Sequence, residues 1–94
     1  MVIFEIQDKT GKWVYLPQKQ WTHIRQDHPG VQDIEEIKNT LENPLIINES
    51  KYDPEKVRYY YQYNKEKRRY LMVAVKYLNG KGFIITAYYT RNLS

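Results

Sequence analysis

Ninety-four residues are enough for one domain with a single modest core. The chain has no cysteine, which excludes disulfides, thiol catalysis and thiolate zinc sites, and no run approaches the roughly 18 consecutive apolar residues of a membrane helix. A formal net charge of +4 hides an asymmetry, since residues 1–50 hold five Lys/Arg against eight Asp/Glu and residues 51–94 hold ten against three. The basic half, with most of the ten tyrosines, has the composition of a surface that attracts a polyanion and stacks its bases. Part of that charge, Lys65, Lys67, Arg68 and Arg69, also reads simply as a solvated turn. The amino terminus lacks the basic start and apolar run of a signal peptide, and a cytoplasmic location away from membranes is expected.

In chain order, Val2 to Gln7 alternates as a short strand, Lys9 to Lys12 is a turn, and Trp13 to Leu16 is a second strand. Pro17 suits the first turn of a helix that runs through QKQWTHIRQD and stops before Pro29. Trp21, Ile24 and His28 fall on one stripe of it, and Lys19, His23 and Asp27 on another. A second helix begins near Val31 or Gln32 and ends at Glu42, with Ile34, Ile37 and Leu41 at core spacing and Asp33, Glu35 and Glu36 at its amino end. Leu45 to Glu49 and Val57 to Tyr63 are strands separated by a polar loop.

The organising stretch is RYLMVAVKYLNGKGFIITAYYT, Arg69 to Thr90, in which Asn79-Gly80 marks a hairpin. A two-residue turn would pair Lys76 with Phe83 and Val73 with Thr86, mixing polar and apolar residues on both faces. A three-residue loop Leu78-Asn79-Gly80 pairs Tyr77 with Lys81 and gathers Leu71, Val73, Val75, Phe83, Ile85 and Ala87 on one face. Lys76, Ile84, Thr86, Tyr88 and Thr90 then share the other. The second register is preferred. For the preceding turn, a five-residue loop, Asn64 to Arg68, puts Arg58, Tyr60 and Gln62 beside Lys76. A four-residue loop would put Tyr59, Tyr61 and Tyr63 there instead. The five-residue loop is preferred because it turns Val57 inward. The element order predicts an α+β fold: a single domain, residues 1–94, with two helices on one face of a four-stranded antiparallel sheet and a short N-terminal β-hairpin.

Several side chains suit phosphodiester chemistry. His23 or His28 can move a proton near neutral pH, Arg58 and Lys76 can hold phosphate, and Thr86, Tyr88, Thr90 and Tyr60 can donate hydrogen bonds or stack. Each also has an ordinary reading: His28 as a helix-end residue, the threonines as strand formers, Lys76 as an edge charge. His23 and His28 are five apart, about 140° around a helix, so they do not form the i, i+4 pair usual for a metal. No metal and no cofactor are expected.

The run W-x-H-I-x-x-x-H-P from Trp21, I-x-x-T-L-x-x-P from Ile37, and YLMVAVKYLNGKGFIITAYYT together resemble the phage-type branch of the barnase/EndoU/colicin/RelE-like nuclease superfamily. The resemblance covers about residues 13–92, and the closing K-Y-L-N-G-x-G-F-I-I-T-A-Y motif is its most specific part. It implies helices against a four-stranded antiparallel sheet and a metal-independent endoribonuclease, the toxin of a toxin–antitoxin pair or a phage-derived effector. By position it carries His23, His28, Lys76, Thr86 and Tyr88, and more weakly Arg58 and Tyr60. The expected partners are RNA and an antitoxin or inhibitor protein. The expected roles are proton transfer by His23, phosphate binding by Arg58 and Lys76, and hydrogen bonding by Thr86 and Tyr88, with His28, Tyr60 and Thr90 contacting substrate. An RNA-binding module without catalysis and a protein-interaction domain are the alternatives.

Overall fold

A computed structural model describes residues 1–93. It has the order β1 (Val2–Gln7), β2 (Trp13–Pro17), α1 (Gln18–Asp27), α2 (Ile34–Glu42), β3 (Ile46–Glu49), β4 (Val57–Asn64), β5 (Arg69–Leu78) and β6 (Lys81–Thr90). The α+β class and the two helices on one face hold. The sheet differs: it is six-stranded and mixed, in the order β1-β2-β6-β5-β4-β3, and not four-stranded and antiparallel. The N-terminal hairpin is part of it, because β2 runs parallel to β6 and pairs Val14 with Gly82 and Tyr15 with Phe83.

The reason is local. A Cβ at Gly82 would lie 2.8 Å from side-chain carbons of Tyr77 and Val75 and 3.2 Å from the Trp13 carbonyl oxygen. Only glycine lets β2 come this close to β6 while β5 packs behind it. Beyond Phe83 the edge of β6 is taken over by α1, where the Gln20 side-chain amide donates to the Ile85 carbonyl at 2.8 Å.

The C-terminal hairpin also departs from the expected register. Leu78 pairs with Lys81, so the turn is the two-residue Asn79-Gly80, with φ of 54° and 79°. Two consecutive positive φ values are the signature of a tight turn that follows strand twist, and Asn-Gly meets it at low steric cost. The irregularity expected at the turn lies mid-strand: Val75 pairs with Ile84 and Ala74 with Thr86, leaving Ile85 unopposed. This bulge resolves the polar–apolar mixing that made the two-residue turn unattractive. Ile84 is buried under the helices, Phe83 stays on the other face beside Tyr15, and Thr86, Tyr88 and Thr90 lie on the face of Ala74, Met72 and Tyr70. Val75 is buried and Lys76 and Thr86 share the opposite face, as expected, but through the bulge and not through a longer loop.

The β4–β5 turn is the four-residue form. Asn64 pairs with Arg69, Arg68 takes φ 54°, and the Asn64 side-chain oxygen accepts from the Lys67 amide at 2.9 Å. Arg58, Tyr60 and Gln62 therefore point to the helix side, and Tyr59, Tyr61 and Tyr63 to the uncovered face, the reverse of the preferred expectation. Tyr60 takes the core position under the helices, and Val57, opposite Lys76, is buried as well. Tyr60 is 0% exposed within the core of Trp21, Ile24, Ile37, Leu41, Leu71 and Val73, and its hydroxyl finds a partner there.

That partner is Asp8, buried in the β1–β2 turn. One carboxylate oxygen accepts from the Thr10 amide at 2.8 Å, the Thr10 hydroxyl at 2.7 Å and the Lys12 amide at 2.9 Å. The other accepts from the hydroxyls of Tyr60 and, at 3.2 Å, Tyr77. Burial pushes the Asp8 carboxyl up, but the bonds from Tyr60, Thr10 and the Lys12 and Thr10 amides together hold it below its ordinary 3.8. Tyr60 is driven up to about 12, first by burial and then by the bond to Asp8. Arg58 closes the cluster, its guanidinium 5.3 Å from the Tyr77 ring and donating to the Thr10 hydroxyl at 3.4 Å.

Two expectations follow from this packing. Gly82→Ala should cost about 1–3 kcal/mol, because the methyl group must displace Tyr77, Val75 or the Trp13 carbonyl. An unchanged chemical-denaturation midpoint would contradict that. The depressed Asp8 carboxyl contributes stability that is present above pH 3.8 and lost as pH falls through its lower folded value. Asp8→Asn should therefore cost about 1–3 kcal/mol at pH 7 and progressively less below pH 3.8. A gap from wild type that stays constant between neutral and strongly acid pH would show that the carboxylate is not the source.

Candidate functional site

The two faces of the sheet are chemically different. The helix side closes over an apolar core and the Asp8 cluster. It closes again at Glu36, whose carboxylate accepts from the Tyr89 hydroxyl and from the Asn64 side-chain amide at 2.9 Å. Burial and then this bond raise Tyr89 above its ordinary value. Among the described residues the opposite face has no helix over it. Across its centre run Tyr59 and Tyr61 of β4, Tyr70, Met72, Ala74 and Lys76 of β5, and Thr86, Tyr88 and Thr90 of β6.

Each position follows from strand alternation. Tyr88 stands opposite Met72, Thr86 opposite Ala74 and Phe83 opposite Lys76. Met72 and Lys76 are four residues apart on β5, about 13 Å along the strand. Lys81 lies at the lysine end, its ammonium 5.7 Å from the Tyr15 ring. Past β6, Leu93 packs on the cluster of Tyr61, Met72 and Ala74, and its carbonyl accepts from the Asn48 side-chain amide at 2.6 Å.

A histidine reaches this face. Helix α1 is anchored by buried Trp21 and Ile24 and ends at His28, whose amide donates to the Ile24 carbonyl at 2.7 Å. Pro29 then stops the helix. The half-buried His28 ring lies with its centroid 5.2 Å from that of Tyr88, tilted by 44°. The chain matches no known protein family, no curated protein and no solved structure.

The expected residues are thus divided. His28, Tyr88, Thr86, Lys76 and Thr90 belong to the uncovered face, though Lys76 stands a long step from the histidine. Thr90 is partly engaged, its hydroxyl accepting from the Asn92 amide at 3.2 Å. Arg58 and Tyr60 belong to the other face and to the Asp8 cluster. His23 is exposed on α1, outside the ring contact that His28 makes. Tyr59 and Tyr61 were missed as site residues, because the β4 register that brings them here depends on the length of one turn, while Met72 of β5 was expected on this face but given no role. Among the described residues no three acidic or histidine side chains stand close enough to hold a metal ion. No helix of the described chain is long and apolar enough to cross a membrane.

The His28–Tyr88 contact has a direct signature. Ring-current shifts on the His28 imidazole protons should disappear in Tyr88→Leu, while those of His23 stay where they are. Identical His28 shifts in wild type and variant would place the two rings apart.

Proposed function

We propose that this protein is a metal-independent endoribonuclease that takes single-stranded RNA across its uncovered sheet face. The observation that carries the reading is the His28–Tyr88 ring contact at the edge of a tyrosine-rich face that also holds Thr86 and Lys76. In this reading His28 replaces His23 as the proton-transfer group. His28 takes the proton of a ribose 2′-OH, and the oxygen attacks the adjacent phosphorus. The P–O5′ bond breaks, and the Tyr88 hydroxyl protonates the departing 5′-oxygen. The products are a 2′,3′-cyclic phosphate and a 5′-hydroxyl end, with no water consumed. Thr86, two residues along β6, donates to a non-bridging phosphate oxygen as its charge grows. Lys76 and Lys81 lie too far along the sheet for the same phosphate and hold a neighbouring one, so they set affinity and its salt dependence. Arg58, expected on the substrate, instead belongs to the folding cluster.

The test is cleavage of RNA with mapped ends in excess chelator. His28→Ala should lower the rate by about 10²- to 10⁴-fold with RNA affinity and melting temperature nearly unchanged, while His23→Ala cleaves as wild type. The toxin or phage-effector role belongs to the same proposal: expression without a partner should arrest growth, and His28→Ala should relieve the arrest. Loss of cleavage in chelator, or full activity of His28→Ala, would sink the mechanism. The division of the expected residues between two faces favours a second reading, an RNA-binding module without catalysis. Salt-sensitive binding with intact RNA ends would establish it.

A further inference from the structure

At the centre of the uncovered face is a depression of about 210 Å³ lined by Tyr59, Tyr61, Met72 and Tyr88. We propose that it is a nucleobase subsite, which seats the base of the nucleotide whose ribose stands at His28. The inference rests on the endoribonuclease reading for that second clause only.

Four observations lead to a base. The volume is below the ~300–1,000 Å³ of sites for drug-sized ligands and suits one flat ring system. None of the lining side chains carries a charge, so the depression suits an uncharged ring and not a phosphate, which would leave its own charge unpaired. Its floor is Met72 and Tyr61, 2% and 4% exposed, and its walls are Tyr59 and Tyr88, which keep ring surface open to solvent. A thioether floor between aromatic walls is a polarisable slot for a π-system.

The fourth observation is hydroxyl clustering. Tyr59, Tyr61 and Tyr88 all line the one opening, and burial first, then the nearness of Tyr88 and Tyr59, pushes the Tyr61 phenol above its ordinary value. Phenol hydroxyls both donate and accept, so they can meet the polar edge of any base. Finally, Tyr88 is shared. It is a wall of the depression and the ring against which His28 lies, so a seated base holds its own sugar next to the imidazole.

The experiment uses the four nucleoside 3′-monophosphates as probes, titrated into the full chain and followed by NMR. Tyr59 is the variant position, because it lines the depression but takes no part in the proton transfer above. Tyr59→Ala should weaken nucleotide binding roughly 5- to 150-fold, the range for losing one stacked aromatic. Tyr59→Phe keeps the ring and should bind within a few-fold of wild type. Melting curves of both variants establish that they are folded. On RNA, Tyr59→Ala should raise KM and alter which base precedes the cut, with kcat far less affected than in His28→Ala.

Equal nucleotide affinity in folded wild type and Tyr59→Ala overturns the subsite, as do nucleotide-induced shifts confined to Lys76 and Lys81. Nucleotide binding that Tyr59→Ala abolishes, in a protein that leaves RNA intact, supports the subsite and removes the cleavage reading. Cleavage with the same base preference and KM in Tyr59→Ala does the reverse.

Discussion

The buried carboxylate of Asp8 is the constraint on which the arrangement of this protein depends. It accepts from its own turn on one side and from two tyrosines of the central strands on the other, so it ties the N-terminal hairpin to β4 and β5. The Lys9 amide adds a bond to the Leu41 carbonyl at 3.0 Å, which brings the carboxyl end of α2 into the same corner. An ionised group so enclosed is tolerable only because its oxygens are saturated with donors. The arrangement also divides the tyrosines by role. Tyr60, Tyr77 and Tyr89 give their hydroxyls to Asp8 or Glu36 and hold the fold. Tyr59, Tyr70 and Tyr88 lie on the face without a helix and keep part of their surface open there, with Tyr61 buried between them.

The placement of His28 has a longer causal chain. β2 passes through Pro17 directly into α1, so the parallel pairing at Gly82 sets the line along which the helix runs. Gln20 then fastens the helix to the carbonyl of Ile85, the residue left unopposed by the bulge. One extra residue in β6 thus sorts the polar and apolar faces and lies at the point where the helix attaches. The imidazole at the far end of α1 owes its position beside Tyr88 to these contacts.

Much of this was legible in the sequence, and the failures have a common cause. Local signals were strong: the spacing of Trp21 and Ile24 and the Pro29 stop describe α1 where it formed, and Asn-Gly marks the right hairpin, although its turn is two residues long and not three. Helix α2 starts at Ile34 and not at Val31 or Gln32, because Asp33 caps it. What the local pattern does not contain is a long-range pairing. Nothing in WVYLP says that it lies beside β6, and the only trace of that pairing is a glycine, Gly82, inside a strand. The register errors are of the same kind. A bulge at Ile85 and a four-residue turn at 65–68 each shift a strand by one position, and one position exchanges its faces. Arg58 and Tyr60 were consequently read onto the wrong face, whereas Thr86 and Tyr88 fell on the right one because the bulge happened to compensate for the misplaced loop.

The attachment of α1 to β6 also bears on the order in which the chain can be completed during synthesis. Gln20 and Ile85 are 65 residues apart, and Asp8 and Tyr77 are 69 apart. As the chain leaves the ribosome, Val14, Leu16 and Trp21 emerge with their apolar surfaces facing strands that do not yet exist. In the sheet, Val14 and Leu16 have only Ile6 and Phe4 of β1 beside them until the last hairpin is released, so contacts of high sequence separation close the fold and slow it. The first half of the molecule therefore spends its early life as the part most in need of protection from other chains, although in the finished protein it forms the edge that carries the histidine.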